Sequence, residues 1–371
     1  MEHVTVYRNP AGYSAFPDIL KLRNGDIVVT FREAGLLSVT LAAQKQPTHI
    51  DPSANGVLVR SRDGGRTFDP FTKVAIYDDE ELSTQDHSIT ELSDGTLLVV
   101  LYRWRHVPLL KVDSVARQGL PIVNYASKGL GFWVHEGPFV ARSRDGGYAW
   151  ERDPAWADPS PLVSAHVADK ILELPDGTLL MAVCGDTGPF GTKPGSPCYV
   201  LGSKDRGGTW RSISLVGSPD RPEDVSYYEP ALLSLGNGRL TVMIRAVAPC
   251  NFYQSFSEDW GRTWSSPVRT PIVASNVPHL LALKNGHVLC AYGRRDPKYG
   301  IRACISRDGG TTWDTKNEIV LRDDGAGTDC GYPSSIQFDD GTILTVYYIH
   351  HGDDIRYIAG TFWREEEFAA R

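Results

Sequence analysis

One short pattern recurs five times along the chain and restricts its fold more than any other feature. Ser61-Arg62-Asp63-Gly64-Gly65-Arg66-Thr67-Phe68 returns as Ser143-Arg144-Asp145-Gly146-Gly147-Tyr148-Ala149-Trp150. Further copies begin at Ser203, Ser257 and Ser306, and end in Trp210, Trp264 and Trp313. Self-similarity at a regular interval marks a repeat architecture. The outermost serines stand 245 residues apart over four intervals, so one unit takes about 61 residues and 371 residues hold six. A second repeat agrees with that count. Apolar runs flank Asn24-Gly25, Asp94-Gly95, Asp176-Gly177, Asn237-Gly238, Asn285-Gly286 and Asp340-Gly341, and such dipeptides are the strongest short-range hairpin signal. The flanking runs, such as Ile27-Val28-Val29-Thr30-Phe31, are rich in β-branched and aromatic residues.

A hairpin, a third strand such as Gly56–Arg60, the Ser-x-Asp box and a fourth strand make one antiparallel unit. Six of them predict an all-β, six-bladed β-propeller of four-stranded blades, a single domain over residues 1–371. The last unit has no box and ends after Arg356–Phe362, so Val4-Thr5-Val6-Tyr7 is expected to supply its fourth strand and close the ring. The widest box spacing, 82 residues, places an insertion in blade two at about 105–136. The boxes themselves read as scaffold: the aspartate holds N–H groups of a tight turn, and the aromatic residue fills space between blades.

Composition narrows the partners. A net charge of −7 with no basic block excludes a nucleic-acid grip. No run approaches the 18 apolar residues of a membrane span. The opening Met1–Arg8 lacks the basic start and apolar stretch of a secretion signal, so the chain reads as cytoplasmic or as the mature form of a secreted or periplasmic protein. Six cysteines without a C-x-x-C pair read mostly as buried thiols.

In an up-and-down blade, hairpin turns and boxes share one face. The start of strand one and the end of strand two lie on the other, at the channel mouth. That places Asp18, Arg32 and Asp51 of blade one there, with Asp86, His87, Arg103 and Arg105 of blade two. His166, Asp169 and Asp186 join from blade three; Tyr227, Tyr228, Glu229 and Arg245 from blade four; His279, Arg294 and Arg295 from blade five; Asp329, Tyr332, His350 and His351 from blade six. Glu229 and Arg245 fall at neighbouring strand ends, which suits either a structural ion pair or a site. Arg294-Arg295 suits bidentate binding of an anion, or a solvated charge run with Asp296. The histidines lack metal-ligand spacing, so neither metal nor cofactor is expected.

The boxes on six units resemble the sialidase superfamily of BNR or Asp-box propellers, over essentially the whole chain. Tyr228-Glu229-Pro230 through Ile244-Arg245 is similar to the family segment holding the glutamate partner of the nucleophile and a carboxylate-binding arginine. Gly331-Tyr332-Pro333-Ser334 resembles the segment with the catalytic tyrosine, and the loop ending at Asp51 matches the place of the acid/base aspartate. The resemblance implies a retaining exo-glycosidase acting on a glycan or glycoconjugate, with Tyr332, Glu229 and Asp51 catalytic. Arg32, Asp18, Asp86, His87, His166, Tyr228, Arg245, Arg294 and Arg295 would line the substrate, a terminal sialic acid or related acidic sugar. One departure stands out. The family's opening Arg-Ile-Pro is here Ala15-Phe16-Pro17, and loss of one charge-assisted contact shifts affinity roughly ten- to hundredfold. Two other readings stay open: a propeller enzyme with histidine chemistry on a rhamnosyl, arabinosyl or uronyl substrate, and a carbohydrate-binding propeller without catalysis.

Overall fold

The computed structural model describes residues 1–35, 51, 53–79, 82–120, 122–124, 131–167, 169–188, 195–219, 225–247, 250–274, 276–353 and 355–368. It is an all-β propeller of six sheets. Blade one comprises Gly12–Lys21, Ile27–Gly35, Asn55–Ser61 and Asp69–Tyr77. Blade four, Ser226–Gly236, Arg239–Val247, Asn251–Ser257 and Val268–Val273, has the same antiparallel order. Blade six begins with Gly331–Gln337, Ile343–Ile349 and Tyr357–Trp363, and Glu2–Tyr7 pairs antiparallel with that third strand to close the ring. Each Asn/Asp-Gly turn carries glycine at a left-handed φ, such as Gly25 at 92° and Gly341 at 85°. Only Asn237-Gly238 has both residues there, as type I′ geometry demands, and in the other five the glycine alone is left-handed, as at the end of a three-residue hairpin loop.

The insertion is built onto blade two. Leu97–Val107 and Phe132–Ser143 extend into a long hairpin, joined by a short helix at Val112–Ala116 and an added strand at Ile122–Asn124 that pairs with Phe132–Val134. Its apolar residues Val107, Val115 and Val134 form their own small cluster. Elsewhere the core runs between blades, as when Val29 and Phe31 of blade one pack with Val346, Tyr348 and Phe362 of blade six.

The five boxes are near copies. In each, the serine Oγ donates to the aspartate Oδ1 at 2.7–2.9 Å and accepts the N–H of the glycine four residues on at 2.8–2.9 Å. The aspartate also accepts backbone N–H groups farther on, from Thr67 at 2.9 Å and Thr312 at 2.8 Å. Hydrogen bonds to the charged form hold Asp63, Asp205, Asp259 and Asp308 down at about 2, with the Thr67, Thr263 and Thr312 hydroxyls leading in three of them. In Asp205 they outweigh the opposing effect of desolvation. Trp210 and Trp313 are buried between blades.

Candidate active site

The opposite face is organised by a backbone device that recurs in four blades. The first strand skips register between Ala15 and Asp18, Gln85 and Ser88, Tyr228 and Pro230, and Gly331 and Ser334. Each skip holds one residue at a left-handed φ: Phe16 at 57°, Asp86 at 52°, Glu229 at 38° and Tyr332 at 50°. Non-glycine residues there are strained, and a bulge re-aims a side chain that would otherwise follow the strand. The residue before the tyrosine is equally constrained. Gly331 has φ 123°, and a Cβ there would stand 1.9 Å from Asn276 Nδ2, which donates to the Cys330 carbonyl at 2.7 Å.

The re-aimed side chains meet. The Tyr332 hydroxyl donates to one Glu229 carboxylate oxygen, and Arg245 pairs with the other. Burial would raise the Glu229 pKa, yet the Arg245 charge, the Tyr332 hydrogen bond and His166 hold it below the ordinary carboxylate value. Burial, and then the charges of Glu229 and Asp86, push the Tyr332 phenol well above its usual 10. The resting pair is therefore a carboxylate accepting from a neutral phenol. Arg295 completes this wall. It donates to the Tyr348 hydroxyl at 3.1 Å and the Cys330 carbonyl at 3.3 Å, and its charge acts on both Tyr332 and Arg245.

Asp86 is buried beside them. No described residue reaches either carboxyl oxygen in good hydrogen-bonding geometry, although the Tyr102 hydroxyl lies near enough to favour the charged form. Burial first, and the Glu229 charge second, raise its pKa well above 3.8. Asp51 is also buried and accepts from the Ser53 N–H at 2.9 Å and hydroxyl at 2.7 Å; its charge acts on Arg32. The rest of the loop leading to Asp51, residues 36–50, lies outside the described residues.

The remaining expected residues separate into groups. Arg32 is buried under blade one, its guanidinium 5.3 Å from the Tyr13 ring and 5.9 Å from Phe16. His166 and Tyr228 sit together, ring centroids 5.6 Å apart, and the Glu229 charge acts on both. Asp18 and His87 lie lower, lining a cavity of about 20 Å³ beneath Phe16, Asp86 and Tyr332. Both are taken up by scaffold contacts. Asp18 accepts Lys170 Nζ at 2.6 Å and the Ile89 N–H at 2.7 Å, and His87 Nε2 lies 2.9 Å from Thr84 Oγ1. Burial, then Arg32, lowers the His87 pKa to about 3. Arg294 turns aside to Asp296 at 3.3 Å, so of the two adjacent arginines it is Arg295 that the fold brings to the phenol. Arg103 and Arg105 pair with Glu136 of the insertion at 3.2 and 2.7 Å.

The sequence places Asp329 at the mouth but not the aromatic frame around it. Asp329 accepts from Tyr13 at 3.1 Å, Tyr348 at 3.0 Å and Arg356 at 2.8 Å. Phe16 packs on Tyr332 with centroids 4.5 Å apart and on Tyr348 at 5.3 Å. His135, from the insertion, stacks on Tyr102 at 4.9 Å and meets His166 at 4.8 Å. Among the described residues no group of His, Cys, Asp and Glu is arranged to hold a metal ion.

Residues 115–345 match the family described as BNR repeat-like domain. The chain belongs to the BNR repeat-like family. As a BNR propeller it superposes on a protein of unknown function from Dyadobacter fermentans with a TM-score of 0.84 and 28% identity, over 98% of this chain and 97% of the other. A Hadza microbial sialidase matches with a TM-score of 0.68 and 17% identity, over 96% of this chain and 66% of that one. An α-L-arabinanase from Penicillium chrysogenum matches with a TM-score of 0.63 and 14% identity, over 99% of both chains. No curated protein sequence matches. At such identities the last two show a shared fold, and that fold carries glycosidases of more than one kind.

Proposed function

We propose that this BNR propeller is a retaining exo-glycosidase with Tyr332 as nucleophile, Glu229 as its base and Asp51 as acid/base, acting on a terminal sialic acid or related acidic sugar. The observation that carries the reading is the hydrogen bond from the Tyr332 phenol to an Arg245-paired Glu229 at the channel mouth. A phenol with a pKa above 10 is a weak nucleophile until a base takes its proton. Glu229 takes it as the Tyr332 oxygen bonds to the anomeric carbon, while Asp51 protonates the departing glycosidic oxygen. Water, deprotonated by Asp51, then attacks the same carbon. The sugar–tyrosine bond breaks, and Glu229 returns the proton to the phenolate. A tyrosine suits a sugar with a carboxylate at the reacting carbon, because an anionic nucleophile would be repelled. Arg245 and Arg295, both acting on Tyr332, are the arms for that carboxylate.

Phe16 and Asp329 favour a second reading in which the sugar is neutral. Phe16 stands where the related motif has an arginine, and Asp329 already engages Arg356. A released-sugar assay over sialyl, keto-deoxy-sugar-acid, uronyl, rhamnosyl and arabinosyl glycosides, with the product anomer followed by NMR, decides between them. Acidic release with retention, lost by about 10²–10⁴-fold in Tyr332→Phe, is the expected result. Release of a neutral sugar that survives Tyr332→Phe overturns the proposal.

A further inference from the structure

The fourth position of the box takes a left-handed backbone in every copy: Gly64 at 72°, Gly146 at 77°, Arg206 at 58°, Trp260 at 65° and Gly309 at 69°. Three boxes use glycine, which adopts it freely. Blades three and four place arginine and tryptophan there, and for a bulky side chain that conformation is an outlier. Strain of this kind persists where something other than local preference selects it.

The two exceptions border one groove. On the box face, away from the channel mouth, a cavity of about 460 Å³ is lined by Leu174, Asp176, Lys204, Arg211, Trp260 and Arg262. It adjoins another of about 660 Å³, which shares Leu174, Asp176 and Trp260 and reaches Arg206. Both are the size of ordinary ligand sites, and both exceed the cavity beneath Tyr332. Trp260 is fixed at the junction. Its N–H donates to the Gly238 carbonyl at 2.9 Å, and the indole covers Gly238 closely enough that a Cβ there would be 3.0 Å from Nε1.

The chemistry of the lining points outward. The indoles of Trp210, Trp264 and Trp313 donate to partners inside the fold, whereas the Trp260 indole N–H donates to no described residue. Lys204, Arg211 and Arg262 are exposed and form no ion pair with a described residue. Asp176 feels the Lys204 charge, and Glu173 at the far end is held by Ser93. The groove thus offers an aromatic platform, an indole donor, three cations without an ion pair to a described residue, and Asp176. At its far end Glu173 faces Arg206 at 3.9 Å, and Arg206 also pairs with Asp94 at 2.6 Å.

We propose that this groove binds an acidic oligosaccharide, with one sugar ring against Trp260 and carboxylates toward Arg211, Lys204 and Arg262. Sugar hydroxyls both donate and accept, which matches Asp176 and Thr178 beside the cations. A pyranose ring also presents the apolar face an indole needs. The site lies on the face opposite Tyr332 and does not depend on the reaction there.

The test is calorimetric titration of the full chain carrying Tyr332→Phe, which removes the proposed nucleophile, with hexamers of α-2,8-linked sialic acid and of galacturonic acid. Cellohexaose and poly-glutamate serve as controls. Binding of an acidic hexamer should weaken about tenfold or more on adding Trp260→Gly, and severalfold on Arg211→Ala, and it should fall with rising salt. Arg211 is exposed, so its variant keeps the fold even if Trp260→Gly does not; circular dichroism checks both. Unchanged affinity in Arg211→Ala, equal affinity for poly-glutamate, absence of binding, or a dimer that both variants dissociate would each overturn the proposal.

Discussion

Both faces of the propeller bend the chain through left-handed backbone, yet they do so with different residues and to different ends. On the box face the position is mostly glycine, and the neighbouring aspartate has several donors. At the channel mouth it is Phe16, Asp86, Glu229 and Tyr332, and both Asp86 carboxyl oxygens lack well-placed partners among the described residues. The box aspartates are saturated with donors, whereas the mouth keeps a buried carboxyl short of them. That contrast is expected where a scaffold gives up local consistency for a site.

Three substitutions probe the contrast, from the strongest expected effect downward. Glu229→Gln keeps the shape but removes the base and the charge that pairs with Arg245; hydrolysis should fall by at least about a hundredfold, and the urea midpoint should drop because the partly buried Arg245 loses its counter-charge. Intact turnover in that variant would break the comparison at its functional end. Asp63→Ala removes the acceptor of the hydrogen bonds that Ser61, Arg66 and Thr67 donate in one box. A loss of about 1–3 kcal/mol in urea unfolding is expected, with turnover unchanged.

Asp86→Asn should have the smallest effect on stability and a pH signature opposite to the boxes. The raised pKa of Asp86 means that the folded state holds its proton, so its penalty begins as pH rises through the ordinary 3.8 and is complete above the folded value. The asparagine variant should match the parent near pH 3 and be about 1 kcal/mol more stable at pH 7. The lowered box aspartates behave the other way: their contribution is present above 3.8 and is lost as pH falls toward about 2. Thermal unfolding between pH 2 and 8 on parent and variant separates the two.

The blade count and ring closure were legible because turns and boxes are local and repeated. The place of Glu229, Arg245 and Tyr332 at the mouth was legible because strand ends of known direction must converge; what set them apart from their neighbours there was the family resemblance. The bulges were not, since nothing in Ala15-Phe16-Pro17 or Gln85-Asp86-His87 announces a positive φ in a phenylalanine or an aspartate. Tyr13, Tyr102, Tyr348 and His135 were missed for a different reason. Aromatic residues in apolar strands read as core, and only the closed ring shows which of them face the channel. Asp18 illustrates the converse: its place at the mouth end of a strand was readable, but Lys170, 152 residues away, was not.

Pairing Glu2–Tyr7 with Tyr357–Trp363 also sets an order of assembly. The two strands come from distant parts of the chain, and such long-range closure comes late in folding. The Tyr332–Glu229 bond spans 103 residues and joins blades six and four. Blades one to five can therefore form without this contact, which is made only as the ring closes.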